Sequence, residues 1–474
     1  MSKPKYHTKV CEPMTEETDD LAWLPFAPQG KETLRLALRR ELLDAIRSGT
    51  LRPGVSLPAS RVLARQVGLS RGVVSDVYEQ LVTEGYVISR PRLTPVVGSV
   101  TALPLPRPQP EVVRPAATYD FMPTIPDTSL FPMRKWLAAY QDAARSAPAR
   151  VLDYRESLGE LSLRLALADR LGRTRGVIAD PARIVIVQGT AQATDLVLRV
   201  LKSRGKVRIC VEDPSYMTQL ERIRAHGMEI VSQPVDDHGL VVDGLDGDAV
   251  IVTPAHQFPS GSVLSGPRRR QLVEWAVRND ALLIEDDYDG EFRYDREPIR
   301  ALQGLSPERV AYLGTVSKTL APALRLGWIV APEWLIDDLR QTKRLADDFT
   351  PALDQLALEG LIRSGEYDRQ LKRARQVYRR RRDLLVNALR KALPRLRIEG
   401  IAAGVHLVLA LPDTVDDAAI TAEARGVGIA LEPLSRFQIR TRRSGLVLGY
   451  GRLHESAISA AVQALSRILV RHLG

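Results

Sequence analysis

Pro104, Pro106, Pro108, Pro110 and Pro115 fall within one short stretch, and no other feature limits the possible folds of this chain as strongly. Each proline lacks a backbone donor and holds φ near about −65°, so neither a helix nor a central strand runs through them. An extended, semi-rigid polyproline spacer is the expected outcome. The chain is therefore read as a leader over 1–30, a compact block over 31–100, a linker over 101–119 and a large domain over 120–474. No internal repeat is visible.

The excess of positive charge is +10 over 474 residues. It favours acidic partners, nucleic acid first, although a solvated basic surface explains charge alone equally simply. The two cysteines, Cys11 and Cys210, are far apart. They imply no disulfide framework and fit a reducing cytosol, so a cytoplasmic protein is expected. The seven histidines are scattered without metal-ligand spacing, and no metal is expected. No run of about 20 apolar residues exists to span a membrane. The first residues are polar, with no signal-peptide core.

Within 31–100, Leu34, Leu38, Leu42, Ala45 and Ile46 recur at helical spacing up to Ser48-Gly49. A turn, Leu51-Arg52-Pro53-Gly54, precedes a second helix with Ser60 as its expected N-cap. Gly68 ends that helix, and Ser70 caps a third, Arg71 to Glu84. Tyr86 to Arg90 then begins a β-hairpin. Two short helices joined by a glycine-containing turn make a helix-turn-helix whose second helix presents its N-terminus to DNA. There the Ser70 hydroxyl and free N–H groups suit a phosphate, and Arg61, Arg65 and Arg71 suit phosphates or a guanine edge. Arg52 sits beside them, and Arg90 and Arg92 lie on the hairpin. Each has the simpler reading of a solvated charge.

Beyond residue 120, the apolar runs Ile184–Val187, Val207–Val211, Ala249–Val252 and Ala281–Ile284 alternate with amphipathic helical patterns. This predicts an α/β domain on a mostly parallel sheet. Four motifs fall at expected strand ends. Gln188-Gly189-Thr190-Ala191 joins a strand to a helix N-terminus, a phosphate cradle. Tyr216 follows another strand, placed to stack on a ring. Asp286, with Tyr288 after it, can face a protonated ring nitrogen. Thr315-Val316-Ser317-Lys318, followed by Arg325, sets an amine between hydroxyls. An apolar site lowers a lysine's pKa and leaves it free to condense with an aldehyde.

Residues 34–97 resemble the winged-helix DNA-binding domain of the GntR superfamily, on Leu57-Pro58-Ala59-Ser60-Arg61, Ser70-Arg71 and Tyr78 to Tyr86. The later motifs, in this order, resemble the fold-type I, class I aminotransferases. Together the chain is similar to the MocR subfamily of GntR regulators. The resemblance implies an N-terminal winged helix-turn-helix joined to an aminotransferase-like domain that holds pyridoxal 5′-phosphate. It implies Lys318 as the lysine of the Schiff base, Asp286 at the pyridine nitrogen, Tyr288 at the phenolic oxygen and Tyr216 stacked on the ring. Gly189, Thr190, Ala191, Thr315, Ser317 and Arg325 would hold the phosphate, with Tyr154 reaching a partner subunit's phosphate in a head-to-tail homodimer. Double-stranded promoter DNA is the implied partner of Arg52, Arg61, Arg65, Ser70, Arg71, Ser75 and Arg90.

Departures from the pattern matter. Gly72 and Ser75 replace a usual threonine and a basic residue, and Pro91 to Pro95 replaces a glycine turn. Phe258-Pro259 stands where aminotransferases have Asn-Pro, and His256 beside it reads as structural. Val447 stands where the substrate-carboxylate arginine is expected, a task for a bidentate guanidinium. Arg436, Arg440, Arg442, Arg443 and Arg452 lie nearby; one of them taking over that task is the alternative to the simpler reading of solvated or DNA-facing charges. The expected function is a regulator that senses pyridoxal phosphate, or a small amine or amino acid reacting with it, without sustained turnover. Regulators of vitamin B6 synthesis are the kind implied. The alternative is a working aminotransferase with a fused head.

Overall fold

The computed structural model describes residues 32–89, 93–99, 117–294, 299–440 and 442–473. The expected leader, most of the linker, and Arg90 and Arg92 lie outside them. The chain divides into two compact units, Met1–Arg114 and Pro115–Gly474.

The first unit has three helices, α1 (Leu34–Arg47), α2 (Ser60–Val67) and α3 (Arg71–Thr83). Leu38, Leu42, Leu57, Leu63, Val74, Val77 and Leu81 are almost wholly buried together. Each such side chain contributes about 1.5–3 kcal/mol on burial. Leu34, expected on the inner face, is half exposed: it opens α1, and the buried face begins at Ala37 and Leu38. Ser60 is also corrected: Ala59 occupies the N-cap, and Ser60 is the first helical residue. Ser70 does cap α3, its Oγ accepting from the Val73 N–H at 3.4 Å. Gly68 at φ +69° gives α2 its left-handed end. Val87–Ile88 pairs antiparallel with Val96–Val97 to form the wing.

The second unit is built on an eight-stranded sheet. Its strands are β1 (Ile184–Val187), β2 (Arg208–Asp213), β3 (Glu229–Asp236), β4 (Gly239–Leu240), β5 (Ala249–Val252), β6 (Leu282–Asp287), β7 (Val310–Thr315) and β8 (Gly327–Val330). Their spatial order is β1-β8-β7-β6-β5-β2-β3-β4. The sheet is parallel from β7 through β6, β5 and β2 to β3, while β8 runs antiparallel to both neighbours. Apolar clusters cover both faces, which explains why β1 and β5 read as unbroken apolar runs. A four-stranded sheet, including His406–Ala410 and Gly445–Gly449, packs with the last helices around a separate core. Tyr119–Asp120 pairs with Ile429–Ala430, so this unit takes up the chain one residue inside the expected linker. No helix among the described residues is long and apolar enough to cross a membrane.

One buried ion pair ties the sheet to the helix Leu161–Arg175. Arg175 donates from Nε and Nη2 to the two carboxylate oxygens of Asp287, each at 2.8 Å, and the Tyr312 hydroxyl donates to the same carboxylate at 2.6 Å. Burial lowers the arginine's proton affinity, and Asp287 more than restores it. Arg175→Met leaves Asp287 buried without its cation. Chemical denaturation is expected to register a loss of about 3–5 kcal/mol.

Candidate functional site

Two surfaces, one on each unit, carry the residues singled out above. On the first unit, Arg52, Arg61, Arg65 and Arg71 are exposed and form no ion pair among the described residues. By contrast, Arg39 and Arg40 on α1 are held by Glu84 and by Glu32 and Glu41. The first group therefore has donors available for phosphates. Arg71 and Ser75 lie one turn apart on α3. Ser75 is half-buried and Ser70 is exposed. Arg90 lies outside the described residues.

On the second unit, a cavity of about 340 Å³ opens at the C-terminal ends of the parallel strands, where ligands of open α/β sheets bind. Thr190, Ala191, Tyr216, Asp286, Tyr288, Thr315, Ser317, Lys318 and Arg325 all line it. They come from five separate stretches of chain, joined by strand register: Leu313 lies beside Asp286, and Gly327 beside Val187.

The phosphate end is a helix start. The helix Thr190–Ser203 begins directly after Gly189, which adopts φ +82°. A Cβ on Gly189 would sit 3.2 Å from the Arg325 guanidinium, so glycine is what lets the arginine close over the turn. Arg325 donates to the Gln188 carbonyl at 2.5 Å. Thr315 Oγ1 donates to Ser317 Oγ at 2.9 Å. Free N–H groups, hydroxyls and a guanidinium thus converge as an oxyanion site.

The Lys318 amine donates to the Thr124 carbonyl at 2.6 Å. Burial lowers its pKa, and Asp289 and Asp286 pull it partly back. Asp286 is pushed up to about 7 by burial, with Asp287 adding to the rise and Lys318 opposing it. Its Oδ1 is buried with no hydrogen-bond partner among the described residues. A buried acceptor lacking a donor is costly, and an N–H on a planar ring entering the cavity would satisfy it. Tyr216 borders the cavity with its ring 5.6 Å from that of Phe258.

Tyr154 is not at this cavity. It is 89 % exposed, beside Phe349, on a separate surface groove. Val447 is fully buried against Phe258, Val408, Leu434 and Phe437. None of Arg436, Arg440, Arg442, Arg443 or Arg452 lines the cavity; Arg436, Arg443 and Arg452 instead pair with Glu432, Glu399 and Asp120. Thr124, Glu212 and Arg222 line the cavity and were not foreseen. Glu212 had a signal, an acid at the end of a strand before Pro214 and Tyr216. Thr124 had none, since its part is played by a backbone carbonyl.

The family description "Bacterial regulatory proteins, gntR family" matches residues 34–94, and "Aminotransferase class I and II" matches residues 125–446. The "HTH-type pyridoxine biosynthesis transcriptional regulator PdxR" of Corynebacterium glutamicum is 32% identical over 94% of this chain and 98% of its own length.

The chain is a GntR-family regulator of the MocR type.

Another relative of this MocR-type chain, the "Probable rhizopine catabolism regulatory protein MocR" of Rhizobium meliloti, is 30% identical over 90% of this chain and 93% of its own. Among solved structures, an archaeal alanine:glyoxylate aminotransferase superposes with a TM-score of 0.70 at 26% identity, covering 74% of this chain and 91% of that one. The MocR-type architecture, a winged helix joined to a fold-type I aminotransferase fold, is thus present in full.

Proposed function

We propose that this regulator holds pyridoxal 5′-phosphate in the cavity of its second unit and converts the state of that cofactor into promoter affinity. The observation that carries the reading is the Asp286 Oδ1 without a partner among the described residues, on a side chain that lines the same cavity as Lys318, Thr190, Ala191 and Arg325. When bound, the cofactor supplies an aldehyde that condenses with an amine and a ring that withdraws electrons.

The chain's own residues do the rest. Lys318 offers an amine whose burial favours the neutral, nucleophilic form. Asp286 would accept from the ring nitrogen, and Tyr288 would face the phenolic oxygen. Tyr216 would cover one face of the ring. Gly189, Thr190, Ala191, Thr315, Ser317 and Arg325 would hold the phosphate. Asp286→Asn keeps the shape and removes the charge, so cofactor affinity is expected to fall tenfold or more, for loss of about 1.5–3 kcal/mol of charged hydrogen bond. A fluorescence titration with pyridoxal phosphate checks this.

We read the protein as a sensor without sustained turnover. The position expected to bind a substrate carboxylate holds buried Val447, and no arginine of that neighbourhood reaches the cavity. The effector is then the cofactor vitamer itself, or a small amine or amino acid that exchanges with Lys318. Steady keto-acid production from amino acids would instead support an aminotransferase. Met133, Leu152, Tyr154 and Leu345, each more than half exposed, supply apolar surface for a head-to-tail homodimer in which Tyr154 reaches the partner's phosphate. Two heads then meet two half-sites, and a ligand that prefers one dimer arrangement changes their spacing. Such a regulator acts in the cytoplasm, where promoter DNA is. Fluorescence anisotropy on the protein's own promoter region, with and without added pyridoxal phosphate, tests the whole reading. Identical affinity in both arms overturns it.

A further inference from the structure

Behind Tyr288, away from the strand ends that form the cavity floor, three buried polar side chains from distant parts of the chain meet: His256, Asp289 and His406. His256 Nδ1 lies 2.9 Å from Asp289 Oδ2 and 3.2 Å from the Tyr288 hydroxyl. One ring nitrogen therefore faces two oxygens, and it can serve them in only one of two ways. A carboxylate oxygen accepts and does not donate, so the shorter contact makes Nδ1 the donor, with its proton directed at Asp289. Tyr288 then finds no lone pair on that nitrogen. Its own O–H then has two directions left, the Asp289 carboxylate, which already takes the Nδ1 proton, and the cavity that Tyr288 lines.

The surroundings hold this tautomer. Gly404, at φ +67°, leaves the room: a Cβ there would come within 2.2 Å of the His256 ring and 2.6 Å of Asp289 Oδ2. The His406 ring lies tilted against that of His256, their centres 5.0 Å apart, and it is kept neutral by burial, with His256 adding to the effect. Its Nε2 faces the Pro259 carbonyl at 3.2 Å, so it offers His256 no competing charge.

We infer that the Asp289–His256 pair is a positioning device that sets the hydrogen-bond polarity of Tyr288, making its hydroxyl a donor into the cavity. This rests on the cofactor reading above, in which Tyr288 faces the phenolic oxygen. A donor there stabilises the charged, phenolate-like form of that oxygen and hence the yellow form of the bound cofactor. Reversing the polarity, with Nδ1 as acceptor, would turn the Tyr288 proton away from the cofactor and leave the phenolic oxygen facing lone pairs.

The test uses the full chain with added pyridoxal phosphate, and two readouts. Borohydride reduction followed by peptide mass reports attachment at Lys318. The ratio of the yellow band to the near-ultraviolet band at fixed pH reports the phenolic oxygen. Attachment is expected in the wild type and in all variants. The band ratio is expected to fall about fivefold or more in Tyr288→Phe, His256→Ala and Asp289→Asn, the size set by loss of a hydrogen bond to a charged oxygen. His256→Asn, whose amide N–H replaces the Nδ1 donor, restores most of the ratio. Combining His256→Ala with Tyr288→Phe adds no further loss, because both act through one hydroxyl. An unchanged ratio in His256→Ala and Asp289→Asn with Lys318 still modified overturns the inference, as do additive losses in the double variant. Failure of borohydride to fix the cofactor on wild-type Lys318 is a different result, and it removes the cofactor reading itself.

Discussion

Lys318→Ala protein, desalted after incubation with pyridoxal phosphate, is expected to be colourless and to carry no reduced vitamin on the peptide that spans residue 318, whereas the desalted wild type is yellow and gains the reduced vitamin on the Lys318 peptide. The argument is chemical: alanine has no amine to attack an aldehyde, and among the described residues Lys318 is the only lysine lining the cavity. The fold is expected to survive. The ammonium is held by one backbone carbonyl, at Thr124, and burial already disfavours its charge. Its removal deletes a desolvated cation as well as a hydrogen bond, and the two effects oppose each other. Far-ultraviolet circular dichroism and thermal melting check that part. The response of promoter affinity to cofactor is expected to vanish in the same protein, since a ligand shifts an equilibrium only through differential affinity for its two states. A desalted variant that is as yellow as the wild type would place the reactive amine elsewhere.

Arg71→Ala is expected to weaken promoter binding by tenfold or more while leaving the cofactor spectrum untouched. Arg71 opens α3 directly after the Ser70 cap, it is exposed, and no carboxylate among the described residues competes for it. A guanidinium at the start of a recognition helix meets either a phosphate or a base edge, and salt titration separates the two. Loss of a phosphate contact weakens all sequences alike and lowers the slope of log affinity against log salt by about 1. Loss of a base contact relaxes preference at one position. Normal promoter affinity in this variant would move the DNA-reading surface off α3. Arg39→Ala is the matched control, because Glu84 already engages that guanidinium on α1.

Local chemistry made much of this legible in the chain itself. Helical spacing and the Ser70 cap located α3, since capping is an interaction over three residues. Buried strands such as β1 and β5 announced themselves as short apolar runs because both faces of the sheet are covered. The strand-end motifs around Gly189, Asp286 and Lys318 stood out for the same reason, each being a few residues long. Errors came where one element meets another. Leu34 matched the helical period yet faces out, and Ser60 is a good capping residue one position late. The antiparallel course of β8 could not be read from its residues, because strand direction is a property of a pair.

The residue string alone carried the division of the chain at its prolines, the helix-turn-helix, the alternation of strands with helices, and the strand-end lysine proposed to hold the cofactor, because each of these depends on groups close together in sequence. Packing alone settled that nine of the proposed ligand side chains face one cavity, that Asp286 has an oxygen without a donor, that Val447 is sealed among apolar neighbours, and that His256, Asp289 and His406, scattered histidines and an unremarked acid in the primary structure, touch behind Tyr288. The reason is that covalent order sets neighbours within a turn or a strand, whereas a donor's partner and a group's desolvation depend on segments brought together only when the core closes.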